Sequence, residues 1–128
     1  MAGRVEGKIA LVTGAGSGLG RASAMHLAEE GANVIASDLN EATAAETAAM
    51  INAERQGAAI SARHDATSEE DWNAVLELAQ STFGGLSVLV NNAGISIGGD
   101  IESTDFAEWK KLQEIDVDSV FWGCKLAL

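Results

Sequence analysis

Four glycines near the start of the chain stand at every second position in a segment whose composition suits phosphate binding. The segment is Thr13-Gly14-Ala15-Gly16-Ser17-Gly18-Leu19-Gly20. Glycine permits a tight turn, a close approach of the backbone to a pyrophosphate, and close packing of a helix on a strand. A helix beginning here would also direct free N–H groups and the positive end of its dipole at the phosphates. We therefore predict dinucleotide contacts from Gly14, Gly16, Ser17, Gly18, Leu19 and Gly20.

Two other interpretations of this segment compete with dinucleotide binding. A P-loop requires lysine and then serine or threonine after the last glycine, whereas Arg21 and Ala22 follow Gly20 here, so this alternative fails. A plain tight turn needs no ligand, and the glycines alone leave it open. The order of strand, glycines, helix and acidic residue favours the dinucleotide.

The acidic residue in that order is Asp38, at the end of the second predicted strand. A carboxylate at this spacing can accept hydrogen bonds from both hydroxyls of an adenosine ribose. Its charge repels a ribose 2′-phosphate, and neither Ser17 nor the neighbouring Leu39 offers a basic side chain to bind one. Asp38 and Leu39 are therefore predicted cofactor contacts, with NAD preferred over NADP. An ordinary polar residue at a strand end is the alternative for Asp38.

Strand and helix patterns alternate along the chain and place these residues at strand ends. Short apolar runs predict strands at 8–13, 32–37, 58–63 and 86–90. Helical patterns cover 18–30, 41 to about 56, a segment that ends at Thr82, and roughly 105–128. A cap near Asn40 begins the second of these, and a cap at Thr67 or Ser68 begins the third. This order predicts an α/β fold, a Rossmann-type doubly wound parallel sheet represented by its first four strands.

The last predicted helix reaches Leu128 without a cap, a glycine stop or a polar tail. A doubly wound dinucleotide fold is built from two halves. We therefore expect residues 1–128 to form a single NAD-binding domain that is incomplete at its C-terminal end. The apolar segment 117–128 and a bare sheet edge after the fourth strand also predict a homo-oligomer.

With these motifs in order, the chain resembles the short-chain dehydrogenase/reductase family, in its N-terminal cofactor-binding portion. The resemblance rests on the glycine segment as a TGxxxGxG turn, on Asp38, on Asp65-Ala66-Thr67, and on Asn91-Asn92-Ala93-Gly94. It implies that Asp65 and Ala66 contact adenine and that Asn91 braces neighbouring strands. It also implies that the cofactor's ribose and phosphate edge lies along Asn92, Ala93 and Gly94. A purely structural role for Asn91 stays open, because a buried amide needs partners with or without a ligand.

The resemblance implies an NAD-dependent oxidoreductase that moves a hydride between nicotinamide and an alcohol or ketone when the chain is complete. Asp116 stands where the family has a catalytic-site asparagine whose main-chain carbonyl holds a water, and a solvent-facing helix acid is the alternative. The family's acid/base group is a Tyr-x-x-x-Lys pair, and the chain contains no tyrosine. We therefore expect these residues alone to be inactive. A non-catalytic module that binds NAD or pairs with a partner is the competing function, and a ligand-free structural piece is another.

The composition excludes several other classes of protein. The net charge is −11 and the eight basic residues are scattered, so a nucleic-acid partner is not expected. No apolar run approaches the length of a membrane span. The lone Cys124 is typical of a reducing compartment, so we expect a cytoplasmic protein and a packed, structural thiol. His26 and His64 lack partners at metal-ligand spacing, so no metal is expected, and Trp72 and Trp109 are predicted packing residues.

Overall fold

The computed structural model describes residues 3–128, which fold around one parallel sheet. Its four strands are β1 (Ile9–Val12), β2 (Asn33–Asp38), β3 (Ala59–Arg63) and β4 (Val88–Val90). They lie in the order β3-β2-β1-β4, and every neighbouring pair is parallel. The predicted Rossmann-type fold is therefore confirmed for these four strands. Because the strand order changes direction between β1 and β4, their carboxyl ends open the crevice in which such folds bind ligands.

Three helices connect successive strands across the two faces of the sheet, and two more follow β4. They are α1 (Gly18–Glu29), α2 (Glu41–Glu54), α3 (Glu69–Phe83), α4 (Phe106–Gln113) and α5 (Ser119–Leu126). Alternate residues of β1 and β2 point to opposite faces, so Val12 and Val34 pack in the cluster beneath α1 and α2. Leu11 and Ile35 face the other way, into the cluster that contains Trp72 of α3. The central strands are thus apolar on both faces, as the sequence indicates.

The helix starts follow the predicted capping chemistry. The Asn40 side chain accepts a hydrogen bond from the amide of Thr43 at 3.2 Å and caps α2. Of the two candidates for α3, Ser68 is the cap, since its hydroxyl accepts from the amide of Asp71 at 3.1 Å. Each such bond satisfies one of the amides that a helix start leaves without a partner. These polar side chains therefore determine where the helices begin.

The long helix predicted over 105–128 is wrong as a single element. A π-helical turn, Glu114–Asp118, separates α4 from α5. The hydroxyl of Ser119 donates to the carbonyl of Ile115 at 2.5 Å and competes with the backbone for that acceptor. Single π turns interrupt helices in this way, frequently near functional sites. The periodicity of the sequence does not resolve one extra residue in a helical turn.

The fourth strand is shorter than the predicted 86–90. The side chain of Ser87 takes a place in the ladder, because its hydroxyl accepts from the amide of Ile9 at 2.9 Å. The backbone amide of Ser87 donates to the carbonyl of Ile9 at 2.9 Å. Regular pairing with β1 then begins at Val88. The other strand and helix ends lie within about two residues of the predictions, which is the usual ambiguity of element boundaries.

Two predictions about packing residues fail on the last helices. Trp72 is fully buried, as predicted, but Trp109 on α4 is 51% exposed. Cys124 on α5 is exposed rather than packed. Periodicity identifies an apolar helix face, but whether that face is covered depends on which elements lie against it. No helix within residues 3–128 has the length and apolar character needed to cross a membrane.

Candidate functional site

A cavity of about 470 Å³ opens at the carboxyl ends of β1, β2 and β4. Twelve of the thirteen predicted cofactor contacts line it: Gly14, Ser17, Gly18, Leu19, Gly20, Asp38, Leu39, Asp65, Ala66, Asn92, Ala93 and Gly94. Gly16 is the exception, because it lies behind the wall against α2. His64, Thr67 and Ile115 also line the cavity and were not predicted as contacts. The folded chain thus brings residues from four separate loops to one crevice.

The glycine-rich turn needs glycine for both conformation and space. Gly14 and Gly18 have φ values of +63° and +53°, in the left-handed region that disfavours other residues. A Cβ on Gly20 would overlap the carbonyl of Gly14, and a Cβ on Gly16 would lie 2.8 Å from the Asp38 carboxylate. The turn is therefore packed against its own start and against β2. This packing places the first amides of α1, which lack partners within the helix, at the cavity.

Asp38 is the last residue of β2, and its carboxylate is held by two backbone amides. Oδ2 accepts from the amide of Gly16 and Oδ1 accepts from the amide of Asn40, both at 2.9 Å. Both oxygens keep further lone pairs, since a carboxylate has about four acceptor sites. No ion pair neutralises this charge within the part of the chain that the structure describes. The arrangement presents a fixed acceptor at the cavity.

Asp65 lies across the cavity, in the loop after β3. Its Oδ1 accepts from both the hydroxyl and the amide of Thr67, at 2.7 and 3.0 Å. The hydroxyl bond from Thr67 is the main reason that the pKa of Asp65 lies below its ordinary value. Its own amide donates to Asp71 of α3 at 2.8 Å. These bonds order the loop, so that Ala66 and the carboxylate form a firm wall.

Of the three cavity residues that were not predicted, His64 is the most deeply buried, and the sequence interpretation considered it only as a metal ligand. It is 3% exposed, and its Nδ1 lies 2.9 Å from the hydroxyl of Ser37 on β2. Its ring stands perpendicular to Trp72, with 4.4 Å between the centroids. Burial lowers the pKa of His64 to about 4, against the opposing charges of Asp71 and Asp65. Nε2 has no hydrogen-bond partner among residues 3–128.

The brace predicted for Asn91 is made by Asn92 instead. The Asn92 side chain donates to the carbonyl of Thr13 at 2.9 Å and to that of Gly14 at 3.3 Å, and so ties the end of β4 to the glycine-rich turn. The hydroxyl of Thr13 accepts from the Asn92 amide at 3.0 Å. Asn91 points to the opposite face and donates to the sulfur of Cys124 on α5. Successive residues of an extended chain face opposite sides, so one asparagine meets β1 and the other meets α5.

Asp116 lies in the π-helical turn, next to the cavity rather than on its wall. Its Oδ1 accepts from the amide of Ile95 at 2.8 Å, and a Cβ on Gly94 would lie 3.1 Å from the same oxygen. The carboxylate is therefore bonded to the loop after β4, although it stays partly exposed to solvent. The side chain fastens the loop after β4, while its neighbour Ile115 reaches the cavity.

No group of three or more histidine, cysteine or acidic side chains is placed to hold a metal ion within residues 3–128. The donors and acceptors at the cavity are instead backbone amides, carboxylates and an amide side chain. This set fits a ligand that carries phosphates at the start of α1 and ribose hydroxyls at Asp38.

Comparison with known proteins identifies the family. Residues 8–128 match the sequence model of the family described as short chain dehydrogenase. The chain belongs to that family.

The chain is 44% identical over 125 residues to 3-beta-hydroxysteroid dehydrogenase of Comamonas testosteroni, covering 98% of this chain and 48% of the relative. It is 42% identical over 128 residues to 2,5-dichloro-2,5-cyclohexadiene-1,4-diol dehydrogenase of Sphingobium indicum, covering 100% of this chain and 51% of the relative. An NADP-dependent (R)-specific alcohol dehydrogenase of Lentilactobacillus kefiri is 34% identical, with 100% of this chain and 50% of the relative covered. The chain thus spans about half the length of the curated relatives it matches.

A solved structure has the same fold. It is the crystal structure of a short-chain dehydrogenase/reductase, described as glucose/ribitol dehydrogenase, from Brucella melitensis. The TM-score is 0.91 and the sequence identity 31%, over 99% of this chain and 53% of the other.

Proposed function

We propose that residues 1–128 are a single nicotinamide-dinucleotide-binding domain of an NAD(H)-dependent oxidoreductase. The observation that carries this proposal is the meeting of four motifs at one crevice: the glycine-rich turn, Asp38, the loop at Asp65, and the loop at Asn92. Membership of the short chain dehydrogenase family supports the same class of reaction. When bound, the cofactor supplies the hydride acceptor or donor.

The residues of the crevice have separable tasks in this proposal. The amides at the start of α1 bind the pyrophosphate, where the positive end of the helix dipole adds to their effect. Asp38 accepts hydrogen bonds from the adenosine ribose, and Asp65 with Ala66 forms the adenine wall. Asn92, Ala93 and Gly94 continue the crevice along β4, on the side where the second nucleotide of a dinucleotide lies.

The preference for NAD over NADP is part of the proposal and depends on Asp38. Its carboxylate is fixed by two amides and would repel a 2′-phosphate. Arg63 pairs in register with Asp38 on the neighbouring strand, but its guanidinium is engaged with Asp71. Arg21 is engaged with Gly16, Thr47 and Glu46, so neither arginine offers a free guanidinium to that phosphate. The family contains an NADP-dependent relative, so the selection has to be made by residues of this crevice.

The cofactor preference is tested by measuring the affinities for NADH and NADPH with the native chain and with Asp38→Asn. The native chain should prefer NADH. The variant keeps the shape of the side chain but only one of its two acceptor oxygens, and it should lose most of that preference. Equal affinities in the native chain would contradict the preference but would leave dinucleotide binding intact. Glu77→Gln, which removes an exposed acidic charge on α3 away from the cavity, serves as the control.

We propose an alcohol or ketone as the substrate, with hydride transfer at the carbon that bears the oxygen. The two relatives of highest identity given above have names that specify a hydroxysteroid and a cyclohexadiene diol, which supports a hydroxyl group on a ring. The sequence of 128 residues holds no tyrosine to act as the acid/base group of the family. These residues therefore bind and orient the cofactor, and Asp116 positions the loop beside it, without completing the reaction alone.

The absence of tyrosine also favours a second candidate, a non-catalytic module that binds NAD or pairs with a partner. The two candidates are separated by assaying ring alcohols with NAD, using both the 128 residues and the protein translated from the whole natural reading frame. Turnover by the latter supports the dehydrogenase. Binding of NADH without turnover by either protein supports an NAD-binding module. No binding by either protein refutes both the dehydrogenase and the NAD-binding module, and leaves only pairing with a partner.

We further propose a homo-oligomer in the cytoplasm. Apolar side chains on α4, the π turn and α5 are left exposed, among them Phe106, Trp109 and Phe121. Several large apolar side chains exposed on one segment favour an interaction site there. Sedimentation should therefore give more than one chain per particle, and a stable monomer would refute the assembly. The free thiol of Cys124 is typical of a reducing compartment and supports the location.

A further inference from the structure

We infer that Arg21 is a positioning residue for the cofactor, because its side chain and the buried Thr47 orient the peptide groups of the glycine-rich turn toward the phosphates. The inference rests on the proposed dinucleotide binding and adds two residues that no motif identifies. Neither Arg21 nor Thr47 lines the cavity. Both act from the opposite side of the turn, where α1 faces α2.

The guanidinium of Arg21 joins the turn to α2 through three hydrogen bonds. Nη2 donates to the carbonyl of Gly16 at 2.7 Å, and Nε donates to the hydroxyl of Thr47 at 3.0 Å. Nη1 reaches outward to Glu46 at 3.2 Å. The two inner bonds need two donors in the rigid geometry of a guanidinium, which a lysine ammonium does not reproduce.

Thr47 extends this arrangement into the protein interior. It is fully buried on α2, and its hydroxyl donates to the carbonyl of Ala15 at 2.7 Å while accepting from Arg21. Ala15 is also fully buried, so its carbonyl has no access to water. A buried acceptor without a partner is costly, and the hydroxyl therefore holds this peptide group in one orientation.

Fixing the two carbonyls also fixes the amides that follow them. In a planar trans peptide the C=O and the next N–H point in opposite directions. The bond from Arg21 to the Gly16 carbonyl thus turns the Ser17 amide away from α2 and toward the cavity that Ser17 lines. The bond from Thr47 to the Ala15 carbonyl likewise turns the Gly16 amide toward Asp38, to which it donates at 2.9 Å. None of the bonds that tie the turn to the rest of the described chain uses the Ser17 amide.

The orientation of this amide separates the proposal from a simple effect of charge. A positive charge at Arg21 would attract phosphates even without its hydrogen bonds, and lysine would supply the same charge. If orientation is what matters, lysine fails to replace arginine. The loss of affinity should then appear only for ligands whose phosphates bind at the turn. Adenosine has no phosphate to bind the Ser17 amide, so its affinity should not change.

The experiment measures binding of ADP by calorimetry and of adenosine by ligand-observed NMR, using the protein from the whole natural reading frame. Arg21→Lys is expected to lower the affinity for ADP about tenfold, the equivalent of one hydrogen bond to a charged group. The affinity for adenosine should stay within about twofold of that of the native protein. Arg55→Lys is the matched control, since Arg55 also donates to backbone carbonyls, those of Ala28 and Ala32, but at the opposite end of β2. It should leave both affinities unchanged.

A second pair of variants tests the buried hydroxyl. Thr47→Val has a similar shape but removes the hydroxyl and leaves the Ala15 carbonyl without this partner, whereas Thr47→Ser keeps the hydroxyl. The valine variant is expected to lose affinity for ADP to the same extent as Arg21→Lys. The serine variant should keep an affinity for ADP within about threefold of that of the native protein. Thermal unfolding of each variant separates this effect from a general loss of folded protein.

Each other result overturns a defined statement. Native affinity for ADP in Arg21→Lys would show that charge suffices and would refute the orienting role. An equal loss of ADP and adenosine affinity would reduce Arg21 to a purely structural residue. Failure of the native protein to bind ADP would refute the proposed function itself, together with this inference.

Discussion

Acidification from pH 7 to pH 5 is expected to destabilise the folded chain by about 2 kcal/mol through His64 alone. Burial lowers the pKa of this histidine from 6.5 to about 4 in the folded state. The unfolded chain therefore takes up a proton at a higher pH than the folded chain does. This contribution to stability is present above pH 6.5 and is lost as the pH falls from 6.5 toward 4.

The magnitude follows from the two pKa values. One proton bound only by the unfolded state costs about 1.4 kcal/mol for each pH unit, so the full interval amounts to about 3 kcal/mol. Between pH 7 and pH 5 the loss is about 2 kcal/mol. Asp65 and Asp71 face the ring and favour its charged form, but desolvation is the larger effect. The ring is 3% exposed, its centroid lies 4.4 Å from that of Trp72, and its Nε2 has no partner among residues 3–128, so a charged imidazolium would be poorly solvated there.

The assay is urea unfolding at constant ionic strength, at pH 7, 6 and 5, followed by tryptophan fluorescence. His64→Asn should have lower stability at pH 7, because it removes a packed ring, but should lack the 2 kcal/mol decrease. The control is His26→Asn, at the exposed histidine of α1, which should decline in parallel with the native chain. Comparing variants cancels the effect of the net charge of −11, which diminishes in acid for all of them.

The reasoning is refuted if His64→Asn loses as much stability between pH 7 and pH 5 as the native chain does. In that case the histidine would titrate similarly in the folded and unfolded states, and burial would not govern its pKa. A parallel decrease in NADH affinity over the same pH range would link the titration to the crevice, since His64 is bonded to Ser37 beside Asp38.

Two further predictions concern the loops around the crevice. Gly20→Ala should lower the free energy of unfolding by about 2 kcal/mol or more and weaken NADH binding, because the added Cβ overlaps the turn and lies 2.5 Å from the Asn92 amide nitrogen. Gly98→Ala, with open space around it, should change neither urea unfolding nor an NADH titration. Asp116→Ala removes the acceptor for the Ile95 amide and should lower the free energy of unfolding, measured in urea, by about 1 kcal/mol. Asp116→Asn keeps an acceptor and should lower that free energy by less than half as much. Equal losses in the two Asp116 variants would contradict the importance of this bond.

Much of the fold could be predicted because its signals are local. Apolar runs of strand length, caps such as Asn40 and Ser68, and glycines with positive φ each act within a few residues. The alternation of strands and helices then restricts the connections to parallel crossovers, which place successive strand ends at one edge of the sheet. For this reason twelve predicted contacts line one cavity, although they come from separate parts of the chain.

The errors lie where a side chain meets an element distant in sequence. Whether Asn91 or Asn92 reaches the glycine-rich turn depends on which face of the chain after β4 points toward β1. Trp109 and Cys124 lie on helices whose periodicity does not show whether another element packs over the apolar face. Both residues are exposed. The π turn at Asp116 adds a residue that helical periodicity does not resolve.

The sequence by itself thus determined the class of fold, the order of the strands along the chain, and the motifs that come together at the crevice. These follow from periodicity, from turn chemistry and from the handedness of the chain, all of which operate over short stretches. Only the tertiary structure decided that His64 is buried beside Ser37 and that Arg21 and Thr47 hold the turn from behind. The contacts of His64 with Ser37, of Arg21 with Thr47 and of Thr47 with Ala15 join residues at least 26 positions apart. Their existence depends on how helices and strands pack once the sheet has formed.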